Sequence, residues 1–117
     1  MPLSMRMGLT LALSIAAGPV WAQGETEIMK AVGPQLDAYT LCLRQQAQDL
    51  AKSQDSEDAI LGKALAACDV EREDLWTHLQ MPPLNASAET ATEAVKQLSA
   101  AMWPSMINII KDARAPQ

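Results

Sequence analysis

The chain has 117 residues and a formal net charge of −5, a balance that argues against nucleic acid or anionic lipid as a partner. Phe is absent, and Val, Ile and the few aromatics are too sparse for several strands, while Ala, Leu, Gln, Glu and Met abound, so the expected fold class is all-α. The length suits one small domain and excludes two.

At the N-terminus, Arg6 precedes an apolar run over residues 7–17, followed by the helix-breaking Gly18-Pro19 and then Val20-Trp21-Ala22. This order predicts a secretory signal peptide over residues 1–22, cleaved after Ala22. The run is shorter than the ~20 residues a bilayer-spanning helix requires, so no stable membrane insertion is expected after cleavage. The absence of Cys just after the cleavage site speaks against a lipid anchor. Residues 23–117 would then be a single helical domain, periplasmic or secreted, and losing Arg6 takes the net charge from −5 to −6.

Residues 25–32 can form a short leading helix that Gly33-Pro34 interrupts, with Pro34 suited to the first position of a new one. The first long helix is expected over 34–53, with Leu36, Tyr39, Leu43, Ala47 and Leu50 spaced by three and four and Cys42 on the flank of that stripe. The polar break Ser53-Gln54-Asp55-Ser56 ends it. Asp55 or Ser56 can cap the next helix, expected over 56–80, with Glu57 and Asp58 complementing the dipole in its first turn. Leu61, Ala64, Leu65, Cys68, Leu75 and Leu79 point inward, and Ile60, Ala67 and Trp76 widen the stripe toward a second neighbour. Met81-Pro82-Pro83-Leu84-Asn85 must be a turn, because each proline lacks an amide donor and restricts the residue before it. Ser87 caps a third helix over 87–113, carrying Ala91, Val95, Leu98 and Met102 and kinked or divided at Pro104. Residues 114–117 should fray. With short connections, these elements predict a three-helix up-down-up bundle.

Cys42 and Cys68 stand at equal distances from Asp55 in the polar break. Residues equidistant from the turn of an antiparallel helical pair face one another, so this is the register at which a disulfide closes. An even cysteine count in a small exported chain points the same way, with separate buried thiols or a shared metal site as the alternatives. Closing this loop is worth about 3 to 4 kcal/mol in the chain-entropy account. Tyr39, one turn before Cys42, is expected to cover the bridge and aim its hydroxyl at Arg72 or Glu71.

The pattern Tyr39-x-x-Cys42 followed by Ala66-Ala67-Cys68 resembles small exported proteins of Gram-negative bacteria built as helical hairpins with two cysteines. The resemblance spans residues 39–68. It implies an exported, hairpin-based protein and carries no activity with it.

Catalytic chemistry has little to stand on. His78 is the only histidine, no Ser or Cys with an orienting carboxylate stands beside it in the chain, and its place near a helix end suits a surface role on the dipole. Asp69, Glu71, Glu73 and Asp74 read as a solvated helix face, lacking the flexible, Gly-containing loop that calcium favours. Met102 and Met106, with His78 and Met81, supply soft donors, but Pro104 breaks their spacing and methionines commonly fill cores. Asn85-Ala86-Ser87 matches a glycosylation sequon by a short pattern alone. No cofactor or metal is expected, and no enzymatic activity.

The strongest functional lead in the sequence is the apolar C-terminal stretch. Met106, Ile107, Ile109 and Ile110 cover about 160 degrees of helix arc, more than one simple stripe, so part of it can remain exposed and mark an interaction site. The sequence therefore predicts a non-enzymatic binding or adaptor module whose last helix meets a periplasmic partner or a second copy through Trp103, Met106, Ile107 and Ile110. The alternative is a periplasmic stress chaperone or metal carrier that exposes apolar surface when acid neutralises its carboxylates.

Overall fold

The structure, a computed structural model, describes residues 19–116. The predicted signal peptide falls largely outside them. Among the described residues all regular structure is helical, in four elements: α1 (Pro19–Leu50), α2 (Glu57–Ala67), α3 (Asp69–Leu79) and α4 (Ala88–Arg114). No helix among the described residues is long and apolar enough to cross a membrane.

The interruption expected at Gly33-Pro34 becomes a bend inside a longer helix. Pro34 offers no N–H to the preceding turn and its ring crowds that turn, and the backbone yields at Val32, whose φ of −128° and ψ of 17° are not helical. The bend carries Val32 into the core, where it is fully buried. Beyond it Tyr39, Leu43 and Ala47 form the buried stripe, with Leu36, Cys42 and Leu50 packed at its margin. The helix stops at Leu50, three residues before the expected end. There Ser53 donates to the Leu50 carbonyl from both its backbone N–H (3.0 Å) and its hydroxyl (2.7 Å), closing the last turn.

The helix expected over 56–80 is two helices. Ser56 caps α2, its hydroxyl oxygen accepting from the Ala59 N–H, and Glu57 and Asp58 occupy the first turn. The helix ends at Cys68, where φ is −100° and ψ 27°, and α3 starts at the next residue. No proline or glycine marks this junction. Cys68 is fully buried and bonded to Cys42, with the Cα atoms 5.9 Å apart, so the covalent contact with α1 falls where the helix changes direction. The backbone loses little there: the Cys68 N–H still reaches the Ala64 carbonyl, and the Cys68 carbonyl still accepts from Arg72. The outcome is four helices in place of three, with α2 and α3 each free to lie against both α1 and α4.

The proline turn forms as expected, tied by hydrogen bonds from Asn85 N–H to the Met81 carbonyl and from Ala86 N–H to the Leu79 carbonyl. Ser87 then caps α4. Pro104 does not divide this helix, which runs unbroken to Arg114. Pro104 and Ala100, the residue whose carbonyl loses its partner, are both exposed, so water can satisfy the freed group. Ala91, Val95, Met106 and Ile110 form its buried stripe.

Arg114 does not fray with the terminus. Its Nε donates to the Ala51 carbonyl (2.8 Å), and one terminal nitrogen donates to the carbonyls of Ser53 and Asp55 (both 2.7 Å). A guanidinium thus meets the negative end of α1 and the turn behind it, where a cation is favoured. Asp55 in the same turn accepts from Lys63, and this hydrogen bond and the Lys63 charge hold its carboxyl below the ordinary value of 3.8.

Replacing Arg114 with Ala should lower unfolding stability in urea by about 1–2 kcal/mol, since it removes charge-assisted hydrogen bonds to three carbonyls. Amide exchange at the end of α1 and in residues 51–55 should speed up in the same variant. Lys63→Met should return Asp55 toward 3.8, followed by NMR of its carboxyl carbon. Because the folded-state value is depressed, the Asp55 contribution is present above 3.8 and lost as pH falls through the lower folded value, so any stability gap between wild type and variant should close under acid.

Candidate functional site

An open cleft of about 570 Å³ lies where α1, α2 and α3 meet α4. On α4 its wall is one face of the helix, Thr92, Lys96, Ser99 and Trp103 recurring at spacings of three and four. At 1.5 Å per residue these positions span about 16 Å, so the cleft is long. Trp76 on α3 and Leu65 on α2 form the facing wall.

Its floor is built from Tyr39, which is fully buried. The hydroxyl does not turn to Arg72 or Glu71, as the sequence suggested, but to Ser99 on α4, at 2.7 Å. The Ser99 hydroxyl hydrogen is engaged by the Val95 carbonyl (2.8 Å), so Tyr39 is the donor and Ser99 the acceptor. The correction has a geometric cause. Tyr39 lies on the core-facing stripe of α1, which packs against α4 as well as against its hairpin partner, and its hydroxyl meets Ser99 on α4. A parallel arrangement holds Trp76, whose indole N–H donates to the Thr92 hydroxyl (3.0 Å) while that hydroxyl donates to the Ala88 carbonyl (2.8 Å). The hydroxyls of Tyr39, Ser99 and Thr92 and the Trp76 N–H are therefore already partnered within the protein.

The charged groups stand differently. Arg72 is paired with Asp69 one turn away on α3. Lys96 and Glu73 line the same cleft, and among the described residues neither forms an ion pair. Counting one turn back along α3 from Trp76 and one turn on along α4 from Thr92 places Arg72 and Lys96 at the same level. The site is thus an apolar, aromatic trough with satisfied interior polar groups and two cations and one carboxylate along it.

Its aromatic content is distinctive. The chain has three Trp, one Tyr and no Phe, and Trp76, Trp103 and Tyr39 all line this one cleft. Of the residues predicted to meet a partner, Trp103 is here and half-buried. Met106 and Ile110 are core residues, 1% and 0% exposed, and Ile107 is half-buried against the core. The apolar C-terminal stretch is thus mainly internal packing, with its breadth explained by contact with three other helices. Met102 accepts a hydrogen bond from the Thr40 hydroxyl, and His78 lies against the Asp74 carbonyl and carboxylate. Among the described residues no three His, Cys, Asp or Glu side chains are grouped as a metal site would need.

Sequence reasoning singled out Trp76 as widening its stripe toward a second neighbour and Tyr39 as lying on the buried face, but not that both meet α4. The signal available was the placement of aromatics in a chain that has so few. Comparison with protein-family models, curated proteins and solved structures finds no match to this chain.

Ile110→Glu should unfold the protein, because it places a charge in the core, a change on the order of 4 kcal/mol or more. The helical circular dichroism signal should collapse at room temperature. Ile107→Glu, at a half-buried position, should retain that signal.

Proposed function

We propose that this is an exported, periplasmic, non-enzymatic binding protein whose cleft between α3 and α4 takes a small apolar molecule. The observation that carries the reading is the convergence of Trp76, Trp103 and Tyr39 on one trough. Aromatic side chains offer large apolar surface in few rotatable bonds, and concave sites of ~300–1,000 Å³ are the size that small ligands occupy. The satisfied hydroxyls along the floor favour apolar contact, since they need no partner from a ligand and need not be stripped of one.

Export is supported by the order of Arg6, the apolar run and Ala22, and by a disulfide suited to an oxidising compartment. An adaptor role through the C-terminal helix is the weaker form of the proposal, because Met106 and Ile110 are occupied by the core.

A neutral environment-sensitive dye such as N-phenylnaphthylamine should bind saturably at one site per chain, with quenching or shift of tryptophan emission. Ala100 is an exposed residue of the cleft wall, so Ala100→Trp fills the trough without touching the core. It should weaken dye binding by about tenfold or more while leaving the thermal midpoint in place. Equal binding by wild type and Ala100→Trp would remove the cleft as the site.

A further inference from the structure

The break between α2 and α3 is unfinished helix. Cys68 keeps both its backbone groups in the helical ladder, its N–H on the Ala64 carbonyl and its carbonyl accepting from Arg72. The three bonds that would join the helices are the ones missing: among the described residues the amides of Asp69, Val70 and Glu71 and the carbonyls of Leu65, Ala66 and Ala67 have no backbone partner. Turning Cys68 from its ψ of 27° to the helical value of about −42° is the rotation that would form them. With helix already present on both sides, closing this gap propagates existing turns and needs no new nucleus. Neither proline nor glycine stands at the junction, and α3 has no side-chain cap at its start. The covalent constraint on this residue is its bond to Cys42.

We propose that the Cys42–Cys68 bond is a redox latch on the cleft. While it is closed, α3 keeps its own direction and Trp76 its place against Thr92; when a dithiol opens it, α2 and α3 join into one helix over residues 57–79 and that wall is withdrawn. The idea rests on the binding reading above for what the wall encloses, and on the backbone alone for the hinge. Trp76 lies eight residues beyond Cys68, about 12 Å along the helix, so a change of direction of about 20° at Cys68 carries it about 4 Å. That is more than the 3.0 Å hydrogen bond to Thr92 survives.

The exchange has a defined order. Cys42 is half-buried and Cys68 fully buried, so the entering thiolate of the reductant attacks the Cys42 sulfur and forms a mixed disulfide there. Cys68 leaves as the thiolate and takes up a proton. The second thiolate of the reductant then attacks its own sulfur in the mixed disulfide and releases Cys42, which is protonated in turn. Two electrons and two protons end on the cysteines, and the dithiol ends as a disulfide.

The test compares the oxidised protein with the same protein treated with dithiothreitol, by NMR-detected hydrogen exchange, with alkylation by iodoacetamide to count thiols. Two thiols per chain should be alkylated after treatment. The amides of Asp69, Val70 and Glu71 should then exchange about tenfold more slowly, the Trp76 indole N–H about tenfold faster, and Leu43 and Ala47 should stay protected. Reoxidation should restore the first pattern, and Cys42→Ala should show the second with no reductant present. Faster exchange throughout all four helices on reduction would make the bond a staple of the fold alone and overturn the latch. Unchanged exchange at residues 69–71 in the reduced protein would overturn it too, as would a bond that no dithiol opens in the folded chain. N-phenylnaphthylamine should bind the reduced form about tenfold more weakly than the oxidised one. A switch in exchange with equal dye affinity in the two forms would leave a hinge that does not govern the cleft, and the latch would fail. If the oxidised form binds no dye, the binding reading fails by itself, and exchange at residues 69–71 and at Trp76 still decides the latch.

Discussion

The Cys42–Cys68 bond joins α1 to the residue where α2 ends and α3 begins. One covalent contact therefore fixes three helices at once. A buried half-cystine at a helix junction does two things that a bond in mid-helix would not: it pins the hairpin in register, and it anchors the point about which α3 changes direction. With α3 so aimed, Trp76 reaches Thr92 on α4, and one wall of the cleft is set. The other constraints are weaker and lie at the two ends of α4. Ser87 caps its start, and Arg114 near its finish binds the carbonyls at the end of α1.

The core is modest in bulk, and its large buried side chains, Tyr39, Leu43, Ile60, Leu61, Leu75, Met106 and Ile110, come from all four helices. No element holds its own apolar stripe without the others. This is the usual condition of a small domain, in which helix propensity alone gives marginal structure and tertiary burial supplies the rest. The cleft follows from the same economy of size. Tyr39 serves both core and cleft: its ring is buried, and its hydroxyl positions Ser99 beneath the trough.

Features governed by neighbours in the chain were legible in the sequence. Ser87 identified itself as a cap, the cap of α2 was narrowed to Asp55 or Ser56, of which Ser56 serves, and the double proline marked a turn and the spacing of Tyr39, Leu43 and Ala47 a buried stripe. The pairing of Cys42 with Cys68 was readable because an antiparallel hairpin turns sequence distance into spatial register. What depends on distant partners was not. Nothing around Cys68 breaks a helix locally, so its division of α2 from α3 comes from the tertiary setting. Arg114 looked like part of a loose tail because its carbonyl acceptors lie roughly sixty positions earlier in the chain. The cleft was hidden for the same reason, its lining being drawn from all four helices.

The order of contacts in the chain also has a thermodynamic corollary. The hairpin of α1 with α2 and α3 is closed by a covalent bond, whereas α4 docks on it only through noncovalent contacts, among them the Tyr39–Ser99 and Trp76–Thr92 hydrogen bonds. Since the cleft exists only while α4 is docked, occupancy and docking are linked equilibria: a molecule spanning α3 and α4 raises the population of the closed form by mass action. Release of α4 would in turn empty the trough and uncover the core that all four helices share, leaving α1 tied to the α2–α3 junction by the disulfide alone.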